Sequence, residues 1–153
     1  MPFWLVKSEP VEFSIDDLAK KKRAGWEGVR NYQARNFMRD LMKLGDLVLF
    51  YHSNAEPSGV AGVAKVSRES HPDPSQFERH SPYYDPKSKK EEPTWMMVEL
   101  EFVEKFPQVL PLERLKAEKT LENMQLVKKG TRLSVMPVTE KEWNCILGMA
   151  KKS

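Results

Sequence analysis

Hydrophobic positions along the chain fall into short runs of two kinds, and their spacing predicts most of the elements. Phe3 to Val6 is an apolar run followed by Lys7 and then by Glu9-Pro10, which reads as a buried strand stopped by the proline. Leu47 to Tyr51 and Val60 to Val66 are continuous apolar runs of strand length. The Ser53 to Gly59 stretch between them is built of turn formers, so the two runs are expected to pair as an antiparallel hairpin. Small Ala61, Gly62 and Ala64 in the second run predict a bulge or the close approach of another element. Trp95 to Phe106 alternates, with Val98, Leu100 and Phe102 on one side and Glu99 and Glu101 on the other, which predicts a strand with one buried face. Arg132 to Met136 is expected to be a late strand.

Helical spacing marks the remaining segments. Ser14 and Asp17 form a capping box ahead of Ile15, Leu18 and Ala19. Gly25 and Gly28 bracket Trp26 in a loop. Asn31 is an N-cap, Ala34, Phe37, Met38 and Leu41 share one face, and Gly45 is expected to end that helix. Pro111 opens a short helix holding Leu112 and Leu115, and Thr120 a further turn with Leu121 and Met124. Thr139 and Glu142 box the start of a closing helix that carries Trp143, Ile146, Leu147 and Ala150. From Glu69 to Thr94 there is no period, and Pro72, Pro74, Pro82, Pro86 and Pro93 interrupt the stretch. A loop of that length holding Tyr83-Tyr84 is expected to act as a lid.

About five strands with short helices before, between and after them, and no regular βαβ alternation, define an α+β fold. A small, strongly curved sheet or mixed β-barrel surrounded by short helices, filling residues 1–150 as one domain, fits this pattern, with function at its mouth.

Composition refines the picture. At 153 residues, 31% charged and a net charge of +3, the chain has the make-up of one soluble domain. The single Cys145 excludes an intrachain disulfide, and only six uncharged residues precede Lys7, too few for a signal peptide or a membrane span. A cytoplasmic monomer with no membrane partner is expected. Charge is unevenly spread: residues 20–43 carry eight Lys or Arg against Glu27 and Asp40.

Common enzyme signatures are missing, including phosphate-binding glycine loops, nucleophile elbows and paired cysteines. His52, His71 and His80 sit on different elements without thiolate partners, so neither a metal nor any other cofactor is expected. Cys145 reads as a half-buried helix residue. His52 and Ser53 adjoin at a strand end, where neighbours point to opposite faces and make a poor dyad. Two readings of His52 stay open, a hydrogen bond to the backbone or a polar pocket contact. What stands out is Trp26 among Lys20, Lys21, Lys22, Arg23, Arg30 and Arg35, with Tyr83, Tyr84 and Trp95 further along. Positive side chains attract phosphates and flat rings stack on unpaired bases, so this interleaving suits nucleic acid. A loop tryptophan folded back on the core is the competing reading.

Lys7-Ser8-Glu9-Pro10, the block Trp26-Glu27-Gly28-Val29-Arg30-Asn31-Tyr32-Gln33-Ala34-Arg35-Asn36, Gly45-Asp46, Tyr51-His52-Ser53, Tyr84-Asp85-Pro86-Lys87-Ser88 and Arg132-Leu133-Ser134-Val135 together resemble the EVE domain family over nearly the whole chain. No basic extension precedes the first block, so the resemblance points to a bacterial cytoplasmic form. It implies a PUA-like barrel, related to the YTH readers of methylated adenine, with no enzymatic activity. By the same resemblance Trp26 would be a pocket wall, Lys7 and Ser8 its rim or floor and Ser53 a polar contact, and Tyr84 with Asp85 would close it. Arg30 and Arg35 could contact backbone phosphates or brace the loop, Asn31 is foremost a cap, and Tyr32, His52 and Trp95 are secondary candidates. The expected function is a non-enzymatic module that takes a modified base of DNA or RNA into an aromatic pocket. The alternative is a hydrolase or transferase acting on a modified nucleotide or nucleoside, with Asp85 or His52 as acid or base.

Overall fold

A computed structural model describes residues 2–128 and 133–151. Strand β1 (Phe3–Ser8) lies parallel to β3 (Leu47–His52), with Val6 opposite Phe50, Lys7 opposite Tyr51 and Ser8 opposite His52. From β3 the chain turns back antiparallel into β4 (Gly59–Pro72), the hairpin expected from the two apolar runs, and β4 pairs antiparallel with β5 (Met96–Pro111). Strand β6 (Val135–Val138) takes the other side of β1, and β2 (Arg23–Gly25) the other side of β5, both antiparallel. The result is one mixed sheet in the order β2-β5-β4-β3-β1-β6, the α+β class the element pattern predicts.

The strand count rises from five to six because of β2. Arg23-Ala24-Gly25 has no apolar alternation to announce it; its pairing with Glu99–Glu101 rests on backbone hydrogen bonds and on Arg23 Nε bridging Glu101 Oε1 at 2.9 Å. β4 and β5 outrun the apolar runs that seed them, since a ladder can continue wherever one face is solvated. Their register slips between Val60 and Gly62, the irregularity expected of the small residues there. A Cβ on Gly62 would fall against the Glu104 backbone carbonyl oxygen, so this crossing needs glycine. The extension of β4 to Pro72 also takes the start of the expected 69–94 loop, and Pro74–Phe77 adds a 3₁₀ turn capped by Asp73.

Helix α1 (Ile15–Lys21) starts at the Ser14–Asp17 capping box. Its Ile15 amide donates to His52 Nε2 at 3.1 Å, which ties the helix start to the end of β3. Helix α2 (Tyr32–Asn36), capped by the Asn31 side chain on the Ala34 amide, continues into a π-helical turn (Phe37–Leu41) and ends at Met42. Gly45 is therefore not the helix terminus it was expected to be. With φ 89° it makes the turn into β3, its amide donating to the Val66 carbonyl. Helix α3 (Leu112–Ala117) follows Pro111 as expected. The late strand begins at Val135, and Arg132 lies outside the described residues. Helix α4 (Glu140–Lys151) opens on the Thr139–Glu142 box and lays Trp143 on Phe3, with ring centroids 4.7 Å apart.

The core forms between these helices and the inner face of the sheet, from Leu5, Leu18, Met38, Leu49 and Leu100 among others, all fully buried. Polar groups are buried along with it, Asp46 among them. Buried Asp46 accepts from the Trp4 indole at 3.0 Å and from the Lys43 amide at 2.9 Å, so its burial is compensated.

Candidate functional site

Both ends of the sheet order meet at one hollow. Ala24 and Gly25 of β2, Lys7 and Ser8 of β1, and Ser134 just before β6 all line a cavity of about 760 Å³, so the sheet curls until its edges approach each other. That volume is typical of a small-molecule site.

Its floor is built by backbone bonds at the end of β1. The Lys7 amide donates to the Ser134 carbonyl at 2.9 Å and the Ser53 amide to the Ser8 carbonyl at 3.0 Å, which gathers Lys7, Ser8, Ser53 and Ser134 in one place. Ser8 Oγ donates to the Phe13 carbonyl at 2.6 Å and draws that segment onto the rim.

Trp26 forms the wall. Its amide donates to the Val98 carbonyl at 2.8 Å, carrying the β2–β5 pairing one residue further, and its ring meets Phe13 and Phe50 in edge geometry at 6.1 and 5.4 Å. The residue is 8% exposed and still lines the cavity. The two readings of Trp26 thus coexist: the indole is anchored in the core and bounds the hollow.

Beyond Trp26 the wall is held from a distance. Asp73, fully buried, accepts from the Gly28 amide at 2.8 Å and from Arg30 Nη1 at 3.1 Å through one oxygen, and from the Ser75 amide and hydroxyl through the other. Burial alone would raise the Asp73 pKa, but these donors outweigh it and hold the carboxyl below its usual range. Gly28 has φ 81°, and a Cβ there would fall 2.6 Å from the Tyr83 ring, so Tyr83 packs directly on the glycine backbone and reaches the hollow.

Charge in the lining is balanced. Lys7, Lys21 and Arg30 face Glu9, Glu12 and Glu27. Burial lowers the Lys7 pKa, and burial together with the nearby Asp73 and Glu78 carboxylates raises that of Glu27. Neither Lys7 nor Glu27 has an ion-pair partner among the described residues; Lys7 Nζ lies over the Tyr51 ring at 5.9 Å.

Of the residues singled out from sequence, Lys7, Ser8, Lys21, Trp26, Arg30, Ser53 and Tyr83 come together in the lining. The others lie outside it. In the loop it is Tyr83, not Tyr84, that faces the hollow, while Asp85 accepts from the Trp95 indole at 2.8 Å and from the Lys87 amide. His52 is buried, its pKa lowered chiefly by that burial, and serves as the acceptor for Ile15. Asn31 caps α2, Tyr32 stacks on Trp95, and Arg35 donates to the Thr94 carbonyl and to Asn36. The loop expected to be a lid is pinned by buried Gln76, which bonds the Asp73 and Trp95 backbones and accepts from the Ser88 hydroxyl. Among the described residues no group of three or more His, Cys, Asp or Glu could hold a metal.

Sequence reasoning missed Asp73, Glu27 and Met97. Asp73 had one visible signal, its place between Pro72 and Pro74 with Ser75 two residues on, an Asx-type cap.

A curled six-stranded α+β fold with an aromatic hollow where its edges approach is the architecture that comparison with known proteins must match. The EVE domain model matches residues 2–149, and the chain belongs to the EVE domain family. Human thymocyte nuclear protein 1 is 44% identical over 168 aligned positions, which take in 97% of this chain and 74% of that protein. A hypothetical protein from Leishmania major superposes with a TM-score of 0.95 at 49% identity, over 99% of this chain and 96% of that one. Human THYN1 protein in complex with DNA containing 5-methylcytosine superposes with a TM-score of 0.93 at 41% identity, over 100% of this chain and 99% of that one.

Proposed function

We propose that this protein is a non-enzymatic nucleic-acid-binding module that takes a modified base of DNA or RNA into the hollow, against Trp26. The observation that carries the reading is a core-anchored indole bounding a cavity large enough for a nucleobase. A base leaving its stack needs such an aromatic partner and a few hydrogen bonds to its edge. The human relative bound to DNA containing 5-methylcytosine supports it and makes that base in DNA the first ligand to test.

The lining suits a cytosine edge. The Glu27 carboxylate can accept from the exocyclic amine, the Lys7 ammonium and Ser53 hydroxyl can donate to ring acceptors, and Met97 offers apolar contact to a methyl group. His52 and Asp85, the two side chains considered as acid or base, are committed to Ile15 and Trp95 and lie outside the hollow. This supports binding over the hydrolase or transferase alternative. Arg30 is neutralised by Asp73, so Arg35 and Lys21 are the better candidates for phosphate contacts. The proposed binding unit is the monomer.

A panel of modified and unmodified oligonucleotides, titrated at two salt concentrations, tests the proposal. A methylated oligonucleotide should bind more tightly than its unmodified twin, and affinity should fall as salt rises. Equal affinity across the panel would remove base recognition.

A further inference from the structure

One surface feature adjoins the hollow without belonging to it. Tyr32 is 61% exposed, although tyrosines usually bury much of their ring, and it stacks on Trp95 with centroids 4.9 Å apart and planes 26° from parallel. The Arg35 guanidinium lies 5.0 Å from the Tyr32 ring centre and 6.0 Å from that of Trp95. Trp95 also meets Arg30 at 5.2 Å, and Arg30 meets Tyr83 at 5.5 Å. Rings and guanidinium groups thus form an unbroken series from Tyr83 and Arg30, which line the hollow, to exposed Tyr32.

The two arginines in this series differ in charge balance. Arg30 is paired with fully buried Asp73. Arg35 makes no salt bridge among the described residues: it donates to the Thr94 carbonyl and the Asn36 amide oxygen, and the one carboxylate that feels its charge, Asp40, is bridged by Arg39. An accessible ring beside a guanidinium outside any salt bridge, fixed in place by a second ring, matches what one nucleotide needs: a surface for its base and a cation for its phosphate.

We infer that Tyr32 and Arg35, backed by Trp95, form a second nucleic-acid contact that takes the nucleotide flanking the one in the hollow. The inference rests on the function proposed above but assigns a different ligand part to a different surface. The hollow selects the base, and the Tyr32 surface adds affinity that depends on strand length and not on modification.

The test compares wild-type protein with Tyr32→Ala, Tyr32→Phe and Arg35→Gln. The probes are a single-stranded DNA oligonucleotide containing one 5-methylcytosine, its unmodified twin and the mononucleotide 5-methyl-dCMP. Tyr32→Ala should weaken both oligonucleotides by about 5- to 150-fold, leave the mononucleotide unchanged, and be rescued by Tyr32→Phe. Arg35→Gln should flatten the salt dependence. Oligonucleotide affinities within about twofold of wild type for Tyr32→Ala would overturn the inference, and so would an equal loss on the mononucleotide. A wild-type protein that binds both oligonucleotides equally would instead overturn base selection in the hollow, while the Tyr32→Ala result still decides this surface.

Discussion

Asp73 accepts a hydrogen bond from the backbone amide of Gly28, 45 residues earlier in the chain, at 2.8 Å. The contact fixes the segment after Trp26 against a buried carboxylate, so the shape of the hollow depends on a residue that does not line it. Asp73→Asn keeps one acceptor oxygen but turns an amide toward either the Gly28 and Arg30 donors or the Ser75 donors. Loss of about 2 to 4 kcal/mol is expected, measured by urea unfolding at neutral pH. Because the carboxyl pKa is depressed in the folded state, this stabilisation is present above the unfolded value of 3.8 and lost as pH falls below it. The gap between variant and wild type should therefore narrow in acid.

Gly28→Ala probes the same wall from the other side. A left-handed φ of 81° disfavours alanine by about 1 kcal/mol, and the new methyl would collide with the Tyr83 ring. Tyr83→Ala removes that collision but not the backbone strain. The double variant should be less destabilised than the two single costs combined, and a double-mutant cycle in urea measures the coupling. Strict additivity would mean that the ring does not rest on Gly28.

His52 predicts a separate pH response. Its Nε2 accepts from the Ile15 amide and so must be unprotonated, and burial, the main cause, lowers its pKa in the folded state. The stabilisation is complete above the unfolded value of about 6.5 and declines as pH falls below it, because the unfolded chain takes up the proton first. Urea midpoints should fall in wild type from about pH 7 to about pH 5 and fall less in His52→Gln. Equal slopes would show that the helix start does not depend on the neutral imidazole.

How much of this was legible in sequence follows from the range of each interaction. The caps at Ser14, Asn31 and Thr139 act on amides three residues away and were readable as local patterns. The hairpin of β3 and β4 was equally plain, since a short turn joins two apolar runs. Trp26 was visible as an unusual residue, but its position at once in the core and on the hollow depends on Phe13, Phe50 and Val98, brought together only by folding. Asp73 was hidden for the same reason, its partners Gly28 and Arg30 lying far off in the chain. Adjacent Tyr83 and Tyr84 look alike in sequence, and only packing on Gly28 tells them apart. Strand β2 is three residues long with no apolar period, so the pairing that makes it a strand belongs to β5 as much as to itself.

The most direct test of the account is an NMR titration of the tryptophan indole N–H signals with a DNA oligonucleotide containing 5-methylcytosine. The Trp4 indole is buried in its bond to Asp46 and serves as an internal reference. Binding should shift the Trp26 indole together with the Gly28 and Ser53 amides while Trp4 stays in place, and the unmodified oligonucleotide should shift Trp26 less. A tight complex in which the Trp26 signal does not move would contradict the claim that the base lies against that ring.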